Sequence, residues 1–424
     1  MTSHAQVHTR IPNGDISGFY DPRFEAVAQE FEKNFLERGE VGASVCVTLE
    51  GETVVDLWGG IARTATNAPW NEDTIGVVWS STKGATALCA HMLASRGKLD
   101  LDAPVAEYWP EFAQAGKEAI PVKMLLNHQA GLPAVREMLP PGAFQQWDLM
   151  VKALERQEPF WKPGTMHGYH AFTFGWLVGE VVRRVSGKSL GTFFREEVAE
   201  PLGLDFWIGL PEEHEARTAQ LIFPPNPGPG DPIPAIFLAM ADPTSIQFAA
   251  IANTGGYFSP GPDDFFFDSR ASHAAEIGAA GGITNARGLA GMYAPLANGG
   301  SLNGVHLVNR DVLARMGAVA SAGLNAVILL QTRWSLGYPK SIDSRREPGA
   351  TVDDSLILSE TAFGHSGVGG SLGFADPVER VSFGYVMNRM GAGAGINARG
   401  QSQVDALYRS LGYTSNASGA WMKA

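Results

Sequence analysis

The two ends of the chain constrain its fold most. Asp21-Pro22 starts a helix in which Phe24, Val27, Phe31 and Phe35 recur at helical spacing until Gly39 stops it. GASVCVTL (42–49) and TVVDLWGG (53–60) then flank Glu50-Gly51-Glu52, two β-rich runs around a glycine turn that predict a hairpin. Towards the other end, GGSLGFADP and RVSFGYVMN read as strands, and Val404, Leu407 and Leu411 make SQVDALYRSLGY an amphipathic helix. Helices next to hairpins at both ends predict one antiparallel sheet assembled from the two termini and covered by the terminal helices. The expected class is α/β of the α+β type. At 424 residues a single core gives way to two lobes. Residues 1–105 and 275–424 should form the discontinuous α/β part. Residues 106–274, where helical patterns such as LVGEVVRRVSG alternate with loops such as FPPNPGPGDPIP (223–234), should form a mainly helical lobe.

Composition narrows the function classes. A net charge of −12 argues against a nucleic-acid partner, since binding phosphates needs a basic surface. No run of apolar residues is long enough to span a membrane, and the opening MTSHAQVHTRIPNGD lacks the apolar core of a signal peptide, so a cytoplasmic location is expected. The two cysteines, Cys46 and Cys89, have apolar neighbours and read as buried thiols rather than a disulfide. The ten histidines show no metal-ligand spacing, so no metal site is expected, and no motif calls for a cofactor. The oligomeric state is left open.

The sharpest chemical signal is WSSTKGATALCAHMLASRG. Ser80 opens a helix there and Lys83 lies one turn further on the same face. A hydroxyl is a weak nucleophile at neutral pH. A neighbouring ammonium and the positive end of the helix would stabilise its alkoxide, or a neutral lysine would take its proton. Ser95 and Lys98 repeat the spacing, but Ser95 falls in the last turn before Gly97 and reads as part of a helix stop. Ser189 and Ser371 match GxSxG, yet neither has the strand, sharp turn and helix that a nucleophile elbow requires.

Two further stretches accompany Ser80. In KPGTMHGYHAFTFGWLVGEVV, Tyr169 follows a Pro-Gly turn and precedes an apolar helix. As a base beside Ser80 it would need its phenol pKa lowered by a cation such as Lys83. In FGHSGVGGSLGF, His365, Ser366 and Gly367 open a glycine-rich strand that lets backbone approach a ligand, and the Val368 amide could join that of Ser80 in an oxyanion hole.

Taken in this order, the elements resemble the serine β-lactamase and penicillin-binding superfamily, specifically class C β-lactamases and the family VIII carboxylesterases that share their fold. PVKMLLNHQAGLP and GGITNARGLAGMYAPLANGG also look like that family, and the resemblance spans residues 20 to 410. It implies Ser80 as nucleophile, Lys83 and Tyr169 as the proton-handling pair, and the amides of Ser80 and Val368 as the oxyanion hole. His365, Ser366 and Gly367, with His170 beside Tyr169, are the implied substrate contacts. The chain departs from class C at two places. Tyr169-His170-Ala171 stands where Tyr-x-Asn is the pattern, and His365-Ser366-Gly367 stands where Lys-Thr-Gly is. Ala171 cannot hydrogen-bond a substrate amide through its side chain, and a largely neutral His365 is a poor partner for a carboxylate.

Both departures point towards a small-molecule carboxylic ester, with the resemblance implying short acyl chains and weak cephalosporin hydrolysis as a side activity. The expected reaction is a two-step acyl transfer through an acyl-enzyme on Ser80, with activity rising towards alkaline pH. Which of Tyr169 and Lys83 first takes the Ser80 proton is open at this level. The rivals are a class C-like β-lactamase, an acyltransferase that passes the acyl group to an alcohol or amine, and a penicillin-binding sensor that acylates without turning over.

Overall fold

In the computed structural model, which describes residues 4–224, 234–259, 266–347, 354–393 and 395–424, the two ends of the chain meet in one sheet. Its strands are β1 (Ala5–Ile11), β2 (Gly14–Tyr20), β3 (Gly42–Leu49), β4 (Glu52–Arg63), β5 (Phe363–Ser366), β6 (Leu372–Asp376) and β7 (Val381–Met387). They run in the order β1-β2-β4-β3-β7-β6-β5, with Ala68–Pro69 paired to β4 as well. Every neighbouring pair is antiparallel, and the β3–β7 ladder, with Cys46 opposite Gly384 and Ala43 opposite Met387, joins the N-terminal strands to the C-terminal ones.

The predicted hairpin of β3 and β4 and the strands β6 and β7 are present. No strand is predicted before Asp21, yet β1 and β2 form a hairpin around Pro12-Asn13. Along β1 the side chains alternate between half-buried and exposed until the buried Ile11. This is an outer strand with little apolar signal, and the Asn13-Gly14 pair is the turn signature that marks it.

Helices α1 (Glu25–Glu37), α2 (Thr82–Ser95), α3 (Thr173–Ser186), α4 (Ala286–Ala297) and α5 (Ala398–Ser410) pack around this frame. The pleat decides which helix each strand residue meets. On one face Cys46 packs with Ala286 and Ala290 of α4. Gly384 lets that helix come close, because a Cβ there would lie 2.2 Å from the Ala286 carbonyl oxygen. Tyr385, one residue on, faces Gly400 of α5 on the opposite side, where α1 and α5 lie against each other. Both cysteines are buried free thiols.

Helix α2 is buried at every residue from Thr82 to Leu93 and packs against α3. A helix buried all round belongs at the centre of a large fold, which fixes its N-terminus rigidly. A three-stranded sheet of Gly76–Val77, Gly282–Thr284 and Phe206–Ile208, with Gly282–Thr284 in the middle, delivers the chain into that helix. Of the proline-rich run 223–234, residues 225–233 lie outside the described residues.

Candidate active site

The Val78 amide donates to the Gly282 carbonyl at 2.9 Å, after which Trp79–Ser81 make one 3-10 turn into α2. Trp79 has φ of 47°, a left-handed conformation that costs energy for a bulky residue. Its indole is held against Phe258, stacked at 5.9 Å, and Phe267 at 5.1 Å. Its carbonyl accepts from Thr82 Oγ1 at 2.5 Å, and the same Oγ1 accepts from the Gly282 amide at 2.8 Å. Ser80 is thereby presented half-buried in the first turn, where backbone amides have no partner within the helix.

Lys83 is fully buried. Its Nζ lies 2.7 Å from the Ala171 carbonyl oxygen, 2.9 Å from that of Ala279 and 3.0 Å from Ser80 Oγ. Burial pushes its pKa well below the ordinary lysine value. A neutral amine has two N–H groups and one lone pair. In that form the two carbonyls take the N–H groups, which leaves the lone pair facing the Ser80 hydroxyl.

Tyr169 donates its backbone amide to Asn325 Oδ1 at 2.9 Å and stacks on Trp334 at 5.4 Å, with the edge of His128 at 5.1 Å. Its hydroxyl is hydrogen-bonded to Ser80, and burial pushes its pKa up, not down. The lowered phenol pKa that a role as base requires is not present. The cation that would have lowered the phenol pKa is itself driven towards neutrality, so Tyr169 faces Ser80 as a proton donor.

His365 and His170, the two histidines among the implied substrate contacts, are both buried. His365, on β5, is 2% exposed; its Nδ1–H donates to the Ser366 carbonyl at 2.7 Å, and its buried Nε2 has no partner among the described residues. Burial first, and then Lys83, push its pKa to about 3, so the ring is neutral, as expected, and packs against Tyr169 and Trp334. His170 is buried as well: its Nε2 accepts from the Leu132 amide at 3.0 Å and its Nδ1–H donates to the Gly168 carbonyl at 2.7 Å. Both ring nitrogens are used internally, and no substrate contact remains for them.

Around the turn after β5, Ser366 is half-buried and the Gly367 amide donates to the Ser371 carbonyl at 2.8 Å. A Cβ on Gly367 would lie 2.3 Å from both Ser371 Oγ and the Val78 carbonyl oxygen, so this turn touches the segment leading to Ser80. Val368 is 41% exposed, and its amide makes no hydrogen bond among the described residues.

The other motif serines lie elsewhere. Ser95 Oγ, at the end of α2, accepts from the Asn309 amide at 2.8 Å. Ser189 caps the helix Leu190–Phe194 and donates to Glu276 Oε1 at 2.7 Å. Ser371 is fully buried, with its Oγ donating to the Val78 carbonyl at 2.8 Å. Sequence reasoning missed the carbonyls of Ala171 and Ala279, which carry no residue-type signal, and Asn325, Trp334 and His128, whose roles arise only in three dimensions. Among the described residues no group of three or more His, Cys, Asp or Glu is placed to hold a metal ion, and no helix is long and apolar enough to cross a membrane.

With this geometry in view, the beta-lactamase family profile matches residues 24–406, and the chain belongs to that family. A crystal structure of a family VIII carboxylesterase superposes with a TM-score of 0.81 at 38% identity, covering 93% of this chain and all of the other. A penicillin-binding protein homologue from Caulobacter crescentus gives 0.79 at 36% identity, covering 94% of this chain and all of the other. The esterase/beta-lactamase LipL of Mycobacterium tuberculosis is 35% identical over 381 residues, 88% of this chain and 83% of its own length.

Proposed function

We propose that the chain is a serine carboxylesterase that hydrolyses small, uncharged carboxylic esters through an acyl-enzyme on Ser80. The observation that carries this is the placement of Lys83 Nζ 3.0 Å from Ser80 Oγ with its other two directions taken by the Ala171 and Ala279 carbonyls. The carboxylesterase and esterase/beta-lactamase relatives support the same reading. A reducing, cytoplasmic setting suits the two free thiols.

Ser80 Oγ attacks the ester carbonyl while its proton passes to Lys83 Nζ. The amides of Ser80 and Val368 hold the oxyanion that forms. As the C–O bond to the alcohol breaks, the leaving oxygen takes the Tyr169 proton, and Tyr169 recovers one from the Lys83 ammonium. Water then attacks the acyl carbonyl and gives up its proton through the same pair, and Ser80 leaves reprotonated. This order, with Lys83 as first base and Tyr169 as acid, follows from the opposite directions in which burial moves the two groups.

A second reading, β-lactam hydrolysis, is favoured by the LipL and penicillin-binding relatives but has no cation at position 365 to meet a substrate carboxylate. The test follows p-nitrophenyl acetate, p-nitrophenyl butyrate and nitrocefin through the first turnover into steady state, with wild type and Ser80→Ala in parallel. Steady ester turnover that vanishes in the variant, with little nitrocefin cleavage, is expected. Nitrocefin turnover above that of the esters would put the β-lactamase reading first, and a single stoichiometric burst would make the chain an acylated sensor.

A further inference from the structure

We propose that Ser81 and Ser371 are positioning residues that set the separation of the Ser80 and Val368 amides; the proposal rests on the acyl-transfer reading above. These amides belong to segments far apart in sequence, the turn into α2 and the turn between β5 and β6. An oxyanion hole works only if its donors are held where charge develops, before it develops.

Two buried hydroxyls tie the segments together. Ser81 and Ser371 are both fully buried, with their Oγ atoms 3.1 Å apart. Ser371 Oγ lies 2.8 Å from the Val78 carbonyl oxygen, two residues before Ser80, and Ser81 Oγ lies 3.1 Å from the His365 carbonyl oxygen, three residues before Val368. Two hydroxyl protons serve these three contacts. Among the described residues, every hydrogen bond between segments 78–81 and 365–371 runs through one of these two side chains. Ser371 also accepts the Gly367 amide through its own carbonyl, next to Val368, so one residue holds both turns.

The second GxSxG serine therefore lies behind the turns that carry the Ser80 and Val368 amides, without being the nucleophile. Its hydroxyl faces the Val78 carbonyl and Ser81, and a substrate carbonyl has no route to it through a fully buried position. What Ser371 supplies is spacing. With either hydroxyl removed, a buried polar partner is left unserved and the two turns relax relative to each other. Small displacements of this kind lower the rate without removing the chemistry.

The test measures kcat/KM of wild type, Ser81→Ala, Ser371→Ala and the double variant on an ester and on its thionoester, with active sites titrated by the p-nitrophenol burst. Carbonyl sulfur is larger and a weaker acceptor, so well-placed amides favour the oxygen ester. Each single variant should lose roughly 10- to 100-fold on the ester and less on the thionoester, so that the ester-to-thionoester ratio falls about tenfold. The double variant should lose about as much as one single variant, because the pair acts as a unit. An unchanged ratio in both single variants, whatever their overall activity, overturns the proposal, since loss of folded protein would lower both substrates alike. Ser80→Ala run alongside separates the two levels. Ester turnover retained in Ser80→Ala would overturn the acyl-transfer reading itself, whereas its loss together with an unchanged ratio in Ser81→Ala and Ser371→Ala overturns only the positioning role.

Discussion

Lys83 Nζ lies over the face of the Tyr169 ring, 4.7 Å from its centre. A neutral amine gains little from that position, but the ammonium formed when it takes the Ser80 proton is attracted to the ring face, by about 0.5–2 kcal/mol. The contact is therefore stronger after proton transfer than before it, which is the direction catalysis requires.

Lys83 acts only when unprotonated, so kcat/KM should fall on the acid side with an apparent pKa well below the ordinary lysine value and be flat above it. A pH–rate profile checks this. A limb still climbing at pH 10 would return the role of base to a phenol.

Tyr169→Phe keeps the ring on Trp334 and removes the hydroxyl. It should lower kcat by about 10²- to 10⁴-fold on an alkyl ester, whose alkoxide needs a proton to leave, and much less on a p-nitrophenyl ester, whose phenolate does not. Equal losses on the two would show that the hydroxyl does not protonate the leaving group.

Stability should fall on the acid side of pH 6.5. Burial lowers His91 to about 4 and His170 and His365 to about 3, so the unfolded chain takes up protons first as pH falls below 6.5. Each of these histidines costs the folded state about 1.4 kcal/mol per pH unit until its own folded pKa is reached. His273 has the opposite sign. Burial disfavours its charge, but hydrogen bonds to Asp268 and Glu215 outweigh that and raise it to about 9. Its contribution is complete below pH 6.5 and is lost as pH rises to 9. Denaturant midpoints measured from pH 4 to 9 should show the acid slope, and His273→Gln should raise the slope between pH 6.5 and 9, where the lowered pKa values of Lys83, Lys117 and Lys340 act in the opposite sense, without changing the acid one.

Gly367→Ala places a methyl group 2.3 Å from Ser371 Oγ and from the Val78 carbonyl oxygen, so the turns carrying the Ser80 and Val368 amides must separate. A loss of about 10²- to 10³-fold in kcat is expected, the scale for a lost oxyanion donor. Steady-state kinetics of the folded variant decide it, and near wild-type kcat would remove Val368 from the oxyanion hole.

The sequence made the central sheet legible where β-rich runs stand out, as in β3 and β7, and where a glycine turn sits between them. It hid β1 because outward-facing Gln6, His8 and Arg10 break up the apolar pattern. Ser80, Lys83 and Tyr169 stood out through spacing and setting, and the structure brings all three together. His170 follows Tyr169 along the chain, but its ring turns to Leu132, a direction that sequence position does not carry. The direction of the Tyr169 shift was invisible, since it depends on how much protein covers the ring and on the charge of a lysine that the same covering neutralises.

The β3–β7 ladder also governs how the molecule comes into being. During synthesis β3, with Ala43, Val45 and Val47 all destined for the core, waits unpaired on one side until residues 381–387 emerge. At about 5–20 residues per second that is a delay of roughly 17 to 68 s, with an apolar strand edge open to other nascent chains. Yield in a cell should thus depend on chaperone supply and translation rate more than on the stability of the finished protein.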